Sequence, residues 1–314
     1  MQQNTSVSKD PIALTSAMAE VLYRADAFAR AATPVVLYGE SGTGKTFLAE
    51  YIHRLSGRSG GFHPFSVGTV APQLAADELF GHVRGAYTDA RSPRTGLLAS
   101  AGCGTLLLDN LHTLDLGVQK QLLQVLDRGT FSPVGSDRIL TVACRVIMAM
   151  TEDPDVLMRQ GLLLKDLRYR FAACGIRIPP LRERRAEIPS LAQRALERLP
   201  GLTRVSGPTR FSRSALRALS DGSWEGNVRE LEGAVLEAFL LAAHEGARKI
   251  GPAHMPDKVA PLLPYTRHGD RAGNRIAVER ALKRTGGNVK RAATLLGVSR
   301  TVVHGVLTSR AAIR

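Results

Sequence analysis

From Thr15 to about Ala32 apolar residues recur at helical spacing, and the run TPVVLYGE that follows is β-rich and broken by Gly39. The same alternation continues downstream. GTLLLD reads as a strand, DLGVQKQLLQVLDRG as a helix, FSPVG as a turn, and CRVIMAM and GIRIPP as further strand-like runs. Strands that alternate with helices predict a parallel α/β sheet. Beyond Pro180 the pattern turns helical, through AEIPSLAQRALERL and SRSALRALSDGSWEGNVRELEGAVLEAFLLAAHEG, which predicts a helical subdomain. The Pro/Gly-rich stretch 251–274 reads as a linker, and a small basic helical module closes the chain. The expected organisation is an α/β subdomain over 1–180, a helical one over 181–250, a linker over 251–274 and a terminal module over 275–314.

A length of 314 residues allows a large core with one or two satellites. The net charge of +14 points to a polyanionic partner, and its position sharpens this: residues 265–314 carry eleven Lys/Arg against Asp270 and Glu279. Cys103, Cys144 and Cys174 form no CxxC pair and read as small core residues of a reducing compartment. No apolar run approaches the ~18 residues needed to span a bilayer, and the first residues resemble no signal peptide. The expectation is a cytoplasmic protein without a membrane partner.

GESGTGKT, Gly39 to Thr46, fits the phosphate-binding pattern GxxxxGK[ST], placed between a strand and the helix TFLAEYIHRL as that pattern requires. Gly39, Glu40, Ser41, Gly42, Thr43 and Gly44 supply backbone N–H groups to phosphates. Lys45 reaches the terminal phosphates, and Thr46 offers its hydroxyl to Mg2+. Asp109 ends the next buried strand, where a carboxylate holds the magnesium through water. ATP and Mg2+ are the expected cofactors.

With these two elements placed, the chain resembles the NtrC-type bacterial enhancer-binding proteins, AAA+ ATPases that activate transcription by sigma-54 RNA polymerase. The likeness spans residues 17 to 250 and 274 to 310. GESGTGK is that family's phosphate-loop wording, ELFGHVRGAYTDA is similar to its ELFGHxxGAFTGA segment, PPLRERRAEIP to its PPLRERxxDIP and WEGNVRELE to its WPGNVRELE helix. The resemblance implies an AAA+ P-loop sheet with a helical lid, ATP bound between subunits of a hexameric ring, and a loop over Gly85, Ala86, Tyr87, Thr88, Asp89 and Ala90 that touches the sigma factor. It assigns nucleotide sensing to Thr151 and Arg229 and a trans-acting arginine to Arg170. No receiver or ligand-sensing domain is recognised ahead of the ATPase, so control is expected from a partner protein or from expression level, or to be absent.

The departures bear on catalysis. Asn110 stands where the family's catalytic glutamate follows the magnesium aspartate, and an amide cannot take a proton from water. Ser66 holds the place of the asparagine that switches that glutamate, and Leu164 the place of a first trans-acting arginine. Losing base catalysis costs a factor of about 100 to 10,000 and losing an arginine finger 1,000 or more. His112 is a candidate substitute base, although a histidine just past a strand is more often a packing residue. Trp224 reads as lid packing, and RERRAE as a solvated helix start that in the family borders the nucleotide.

The tail RIAVERALKRTGGNVKRAATLLGVSRTVVHGVL has the spacing of helix, GN turn, helix, tight turn at Gly297 and a third helix capped by Ser299. It resembles the Fis-type helix-turn-helix of the same regulators. Arg300, Thr301 and His304 are then the base readers, with Lys290 and Arg291 nearer phosphate. Gly305 lowers helix propensity by about 1 kcal/mol where the family often has a basic residue.

The expected function is an ATP- and DNA-binding transcription regulator of the sigma-54 activator type with weak hydrolysis, forming a dimer or ring and bound at an upstream activating site. Two alternatives stay open. One is a non-hydrolysing, nucleotide-gated regulator independent of sigma-54. The other is a P-loop remodelling motor unrelated to transcription, against which the GAYTDA loop and the helix-turn-helix argue.

Overall fold

The computed structural model describes residues 10–31, 33–87, 90–256, 259, 274, 277–279, 281–282 and 285–308. The chain divides into two compact units, Ser8–Arg184 and one formed by the rest from Arg185.

The first unit is built on a five-stranded parallel sheet: β1 (Val35–Tyr38), β2 (Phe62–Ser66), β5 (Thr105–Asp109), β8 (Arg145–Met150) and β9 (Gly175–Arg177), in the order β2-β5-β8-β1-β9. Short antiparallel pairs form between β3 (Gly81–His82) and β4 (Arg94–Thr95), and between β6 (Thr130–Phe131) and β7 (Leu140–Thr141). The near-continuous apolar runs are what a parallel sheet covered on both faces requires. Alternate residues of β1, β5 and β8 enter opposite cores. Val36, Leu106, Leu108, Val146 and Met148 pack on one side, with residues of α3 (Pro72–Phe80), α4 (Leu97–Ser100), α5 (Leu116–Arg128), α6 (Pro154–Arg159) and α7 (Lys165–Arg170). Val35, Leu37, Leu107, Ile147 and Ala149 pack on the other, with α1 (Ser16–Ala29) and α2 (Lys45–Leu55).

Local signals set the helix ends. Thr15 caps α1 by accepting from the Met18 N–H at 3.3 Å, and Asp153 caps α6. Gly129, at φ 66°, ends α5 in the left-handed conformation that costs glycine least. The C-terminus of α1 is closed from a distance: the buried Arg145 guanidinium on β8 donates to the carbonyls of Phe28 and Ala29.

Several features depart from the sequence reading. The edge strand β2, with Pro64 inside it, has no strong apolar pattern; its Pro is tolerated because an edge needs fewer ladder bonds. Cys103, expected in the core, is exposed in the turn before β5, while Cys144 is buried and Cys174 is partly exposed.

The second unit contains α8 (Ile188–Thr203), α9 (Arg213–Asp221) and α10 (Asn227–His244). Trp224 is buried among them and its indole N–H donates to the Leu219 carbonyl at 2.9 Å, so it packs. The stretch expected to be linker begins as part of this bundle. Pro252–His254 forms a short 3-10 turn in which the His254 ring accepts from the Gly251 N–H at 2.9 Å and meets Glu245 at 3.0 Å, with Met255 and Val259 buried. Proline and glycine here shape a packed turn, which composition alone does not distinguish from a linker.

The terminal module has its own small core. Ala277, Val278, Ala281, Ala292, Ala293, Leu296 and Val303 are buried together. The helix Val289–Leu296 is capped by Asn288, whose side chain accepts from the Arg291 N–H at 3.1 Å, and ends at Gly297 with φ 65°. The next helix is Arg300–Thr308. The alanines let the helices approach closely.

Candidate functional site

Parallel strands bring the candidate residues to one edge of the sheet. In register, Ser66 pairs with Asp109 and Asp109 with Ala149, while Tyr38 pairs with Met150. The Gly39 N–H donates to the Met150 carbonyl at 3.3 Å, so the phosphate loop opens beside Thr151. Asp109 and Thr151 therefore follow neighbouring strands at the same end as the loop.

The loop backbone explains its glycines. Gly39 has φ 149°, and a Cβ there would stand 2.5 Å from the Ile178 carbonyl oxygen. Gly42 and Gly44 have φ 77° and 103°, and Gly44 leads directly into α2. Lys45 is buried, and its ammonium donates to the Gly39 and Glu40 carbonyls at 2.7 and 3.0 Å. Thr46, at the second residue of α2, is exposed. Thr43 is buried and its hydroxyl donates to the Glu40 carbonyl at 2.8 Å. Backbone N–H groups at the start of an 11-residue helix, with a lysine drawn into the loop, fit a polyphosphate.

The segment read as a solvated helix start is the brace of this loop. Arg182 grips the Glu40 carboxylate with both terminal nitrogens, at 2.8 and 2.6 Å. Arg184 is buried and donates to the Thr43 carbonyl at 2.7 Å. The only sequence signal for these contacts is the family wording around them.

Asn110 adopts φ 60°, ψ 43°, the left-handed region, and its N–H turns back to the Asp109 carboxylate at 3.0 Å. Its carbonyl accepts from the Thr113 hydroxyl at 2.8 Å. Asparagine reaches this conformation more readily than most residues with a Cβ. His112 brings its Nε2 to 3.4 Å from the Thr151 hydroxyl. Burial lowers the His112 pKa; Glu152 and Asp109 act the other way and Lys45 adds to the lowering. The imidazole is neutral near pH 7.

The remaining candidates lie apart from this group. Arg170, on α7, pairs with Asp127 at 2.7 Å and donates to the Leu126 carbonyl at 3.0 Å, both at the end of α5. Leu164 is the residue before α7 and is partly buried. Arg229 is exposed on α10 of the second unit.

The loop that starts at Gly85 stands on a buried polar tether. His82 lies against the Asp77 carboxylate through Nδ1, and its Nε2 is 2.8 Å from the Ser92 carbonyl. The Tyr87 ring lies 5.1 Å from the His82 ring and is 42% exposed, which leaves an aromatic edge at the surface. Gly85 has φ 84°, and its N–H donates to the Ala90 carbonyl at 2.8 Å, closing the base; Ala86 packs beside Gly135. Thr88 and Asp89 lie outside the described residues.

In the terminal module Lys290, Arg291, Ser299, Arg300, Thr301 and His304 are all exposed. Ser299 accepts from the Val302 N–H at 3.4 Å, and Arg300 and Thr301 open the last helix. Among the described residues no helix is long and apolar enough to cross a membrane.

Comparison with known proteins identifies the family. Residues 12–177 match the family described as the sigma-54 interaction domain, 182–269 the AAA+ ATPase lid domain, and 275–304 the bacterial regulatory protein, Fis family. The chain is 34% identical to the nitric oxide reductase transcription regulator NorR1 of Cupriavidus necator, over 93% of this chain and 62% of that protein. It is 38% identical to the Nif-specific regulatory protein of Rhizobium leguminosarum bv. trifolii, over 73% and 64%. The chain thus spans less than two thirds of the length of these curated relatives. A crystal structure of NtrX from Brucella abortus shares the fold, with a TM-score of 0.71 at 24% identity over 95% of this chain and 69% of that one.

The left-handed backbone at Asn110 gives a direct stability test. Asn110→Gly should leave stability within about 0.5 kcal/mol, whereas Asn110→Glu should lose about 1 kcal/mol, measured by denaturant unfolding.

Proposed function

Because the chain belongs to the sigma-54 interaction domain family, we propose that it is a transcription regulator of the sigma-54 activator type that binds ATP-Mg and DNA and turns ATP over slowly. The observation that carries this reading is the phosphate loop, with Lys45 buried in it, at the same sheet edge as Asp109 and beside the start of Thr151. In this reading the backbone of Gly39 to Gly44 and Lys45 hold the polyphosphate. Thr46 and Asp109 hold Mg2+, a cation that commonly takes one or two protein ligands and keeps several waters. When bound, the ion neutralises charge on the terminal phosphates. Thr151 and Arg229 report the nucleotide state.

Slow turnover follows from Asn110, which carries no proton-accepting carboxylate, and from Leu164, which lacks an arginine's charge. Arg170 remains as a trans-acting arginine of a dimer or hexameric ring. Its pairing with Asp127 has to open before it reaches a neighbour's nucleotide, an added cost. DNA binding is assigned to the terminal module over 275–314, with the AAA+ sheet over 1–180 and the lid over 181–250. An upstream activating site is the DNA this arrangement fits. The Gly85–Ala90 loop is the sigma-factor contact, with Tyr87 exposed on a rigid base.

ATP-Mg should bind in the micromolar to millimolar range with turnover far below about 1 per second. Lys45→Ala should abolish binding, read by a fluorescent nucleotide. Phosphate release at an ordinary rate by the unmodified protein, lost in Lys45→Ala, would contradict the slow-turnover reading.

Deleting residues 265–314 should abolish DNA binding while ATP binding persists, because the recognition helix and most of the net charge lie there. Arg300→Ala should cost about 1 to 3 kcal/mol if a guanine edge is contacted. Unchanged affinity and salt slope in the truncated protein would remove the assignment.

Asp89 adds a carboxylate where the family has glycine, six of them at one rim of a hexamer. Asp89→Gly should strengthen ATP-analogue-dependent complex formation with purified sigma-54, and Thr88→Ala should abolish it. If no complex forms even with Asp89→Gly, the regulator acts independently of sigma-54.

A further inference from the structure

The amide at the family's base position lies beside the turn that follows β2. Asn110 Nδ2 lies 4.0 Å from the point where a Cβ on Gly68 would stand, so the side chain sits over the 3-10 turn Val67–Thr69 that follows β2. β2 flanks β5 on one side. β8, and beyond it β1 leading into the phosphate loop, flank it on the other.

His112 faces that second side. Its Nε2 meets the Thr151 hydroxyl at the end of β8, 3.4 Å away, and both the Lys45 and Asp109 charges act on its ring. Its Nδ1 is buried without a hydrogen-bond partner. A neutral imidazole has one N–H and one lone pair, so either tautomer leaves a polar atom buried and unmatched. An apolar side chain would fill the same space without that cost. An imidazole that accepts from Thr151 through Nε2 keeps its proton on Nδ1 and leaves the Thr151 oxygen free to accept from whatever the hydroxyl touches.

We propose that His112 and Thr151 form the proton-accepting pair that stands in for the missing glutamate and carries the residual ATP hydrolysis of this protein. The inference rests on the nucleotide site proposed above. Water held against the Thr151 hydroxyl attacks the terminal phosphorus of ATP, forming a new P–O bond. The bond from that phosphorus to the bridging oxygen breaks, and its electron pair leaves on ADP. The water proton passes through the Thr151 hydroxyl to His112 Nε2, which later releases it to solvent. Because it acts through Thr151, His112 is a positioning residue.

Single-turnover hydrolysis and nucleotide affinity of the full chain test the pair, with ADP alone and with ADP–aluminium fluoride as a mimic of the transferring phosphoryl group. His112→Ala and Thr151→Val should each slow hydrolysis by about 30- to 100-fold. Both should weaken ADP–aluminium fluoride binding at least about tenfold, while ADP affinity stays within about threefold, which also reports an intact fold. Thr151→Ser, which keeps the hydroxyl, should restore both. The unmodified protein should lose hydrolysis as the pH falls through the lowered His112 range, and His112→Ala should lose that limb; Asp109, Glu152 and Lys45 are the charged groups facing the ring. Unchanged rate and ADP–aluminium fluoride affinity in His112→Ala would overturn the pair and leave nucleotide binding intact. ATP bound by the unmodified protein with neither turnover nor tighter ADP–aluminium fluoride binding would also overturn it. Failure of the unmodified protein to bind ATP at all would instead sink the nucleotide site on which the pair rests.

Discussion

Everything at the edge that carries the phosphate-loop motif depends on parallel strands that stop within a residue of one another. Asp109 pairs with Ala149 and Met150 pairs with Tyr38, so β8 and β1 release their chains at one level and β5 one residue earlier. Parallel connection is what makes this possible, since the carboxyl ends of such strands share one side of the sheet and the helices return the chain behind it. The sheet holds this alignment because both of its faces are dry. Alternate residues of β1, β5 and β8 serve two separate cores, and a slip of one residue would exchange them.

The loops standing on that edge are held by buried polar contacts. Gly39 lies so close to the Ile178 carbonyl that no side chain fits, and Arg184 and Arg182 tie the loop at Thr43 and Glu40. The Arg184 bond is the stronger constraint, because it is shielded from water, while the Arg182 pair is exposed and worth little by itself. The Gly85 loop uses the same device in another place. His82, buried between Asp77 and the Ser92 carbonyl, fixes the base of a loop that otherwise has few apolar residues to bury. In both places the contacts come from groups outside the short motif that names the loop.

Side-chain chemistry and backbone conformation meet at Asn110. A left-handed residue with a side-chain amide suits the turn from β5 into the segment Leu111–Thr113, and its amide lies over Gly68. The position thus carries an amide, not a carboxylate, beside the turn that follows β2. His112, two residues on, brings its Nε2 to the Thr151 hydroxyl instead, and burial lowers its pKa.

The sequence by itself determined the alternation of strands and helices, the phosphate loop, Asp109 at the end of a strand, and the terminal helix-turn-helix. Each of these is written in local signals: apolar periodicity, glycine spacing, and caps such as Asn288 and Gly297. It determined too that Asn110 lacks a carboxylate. Only the tertiary structure decided what side of the sheet edge each neighbour of Asp109 faces, because that depends on which strands flank β5. The same holds for the edge strand β2, the packed turn at Pro252–His254 and the arginine brace of the phosphate loop. In each, the partner is distant in sequence, as Arg184 is from Thr43, and no local pattern encodes such a pairing.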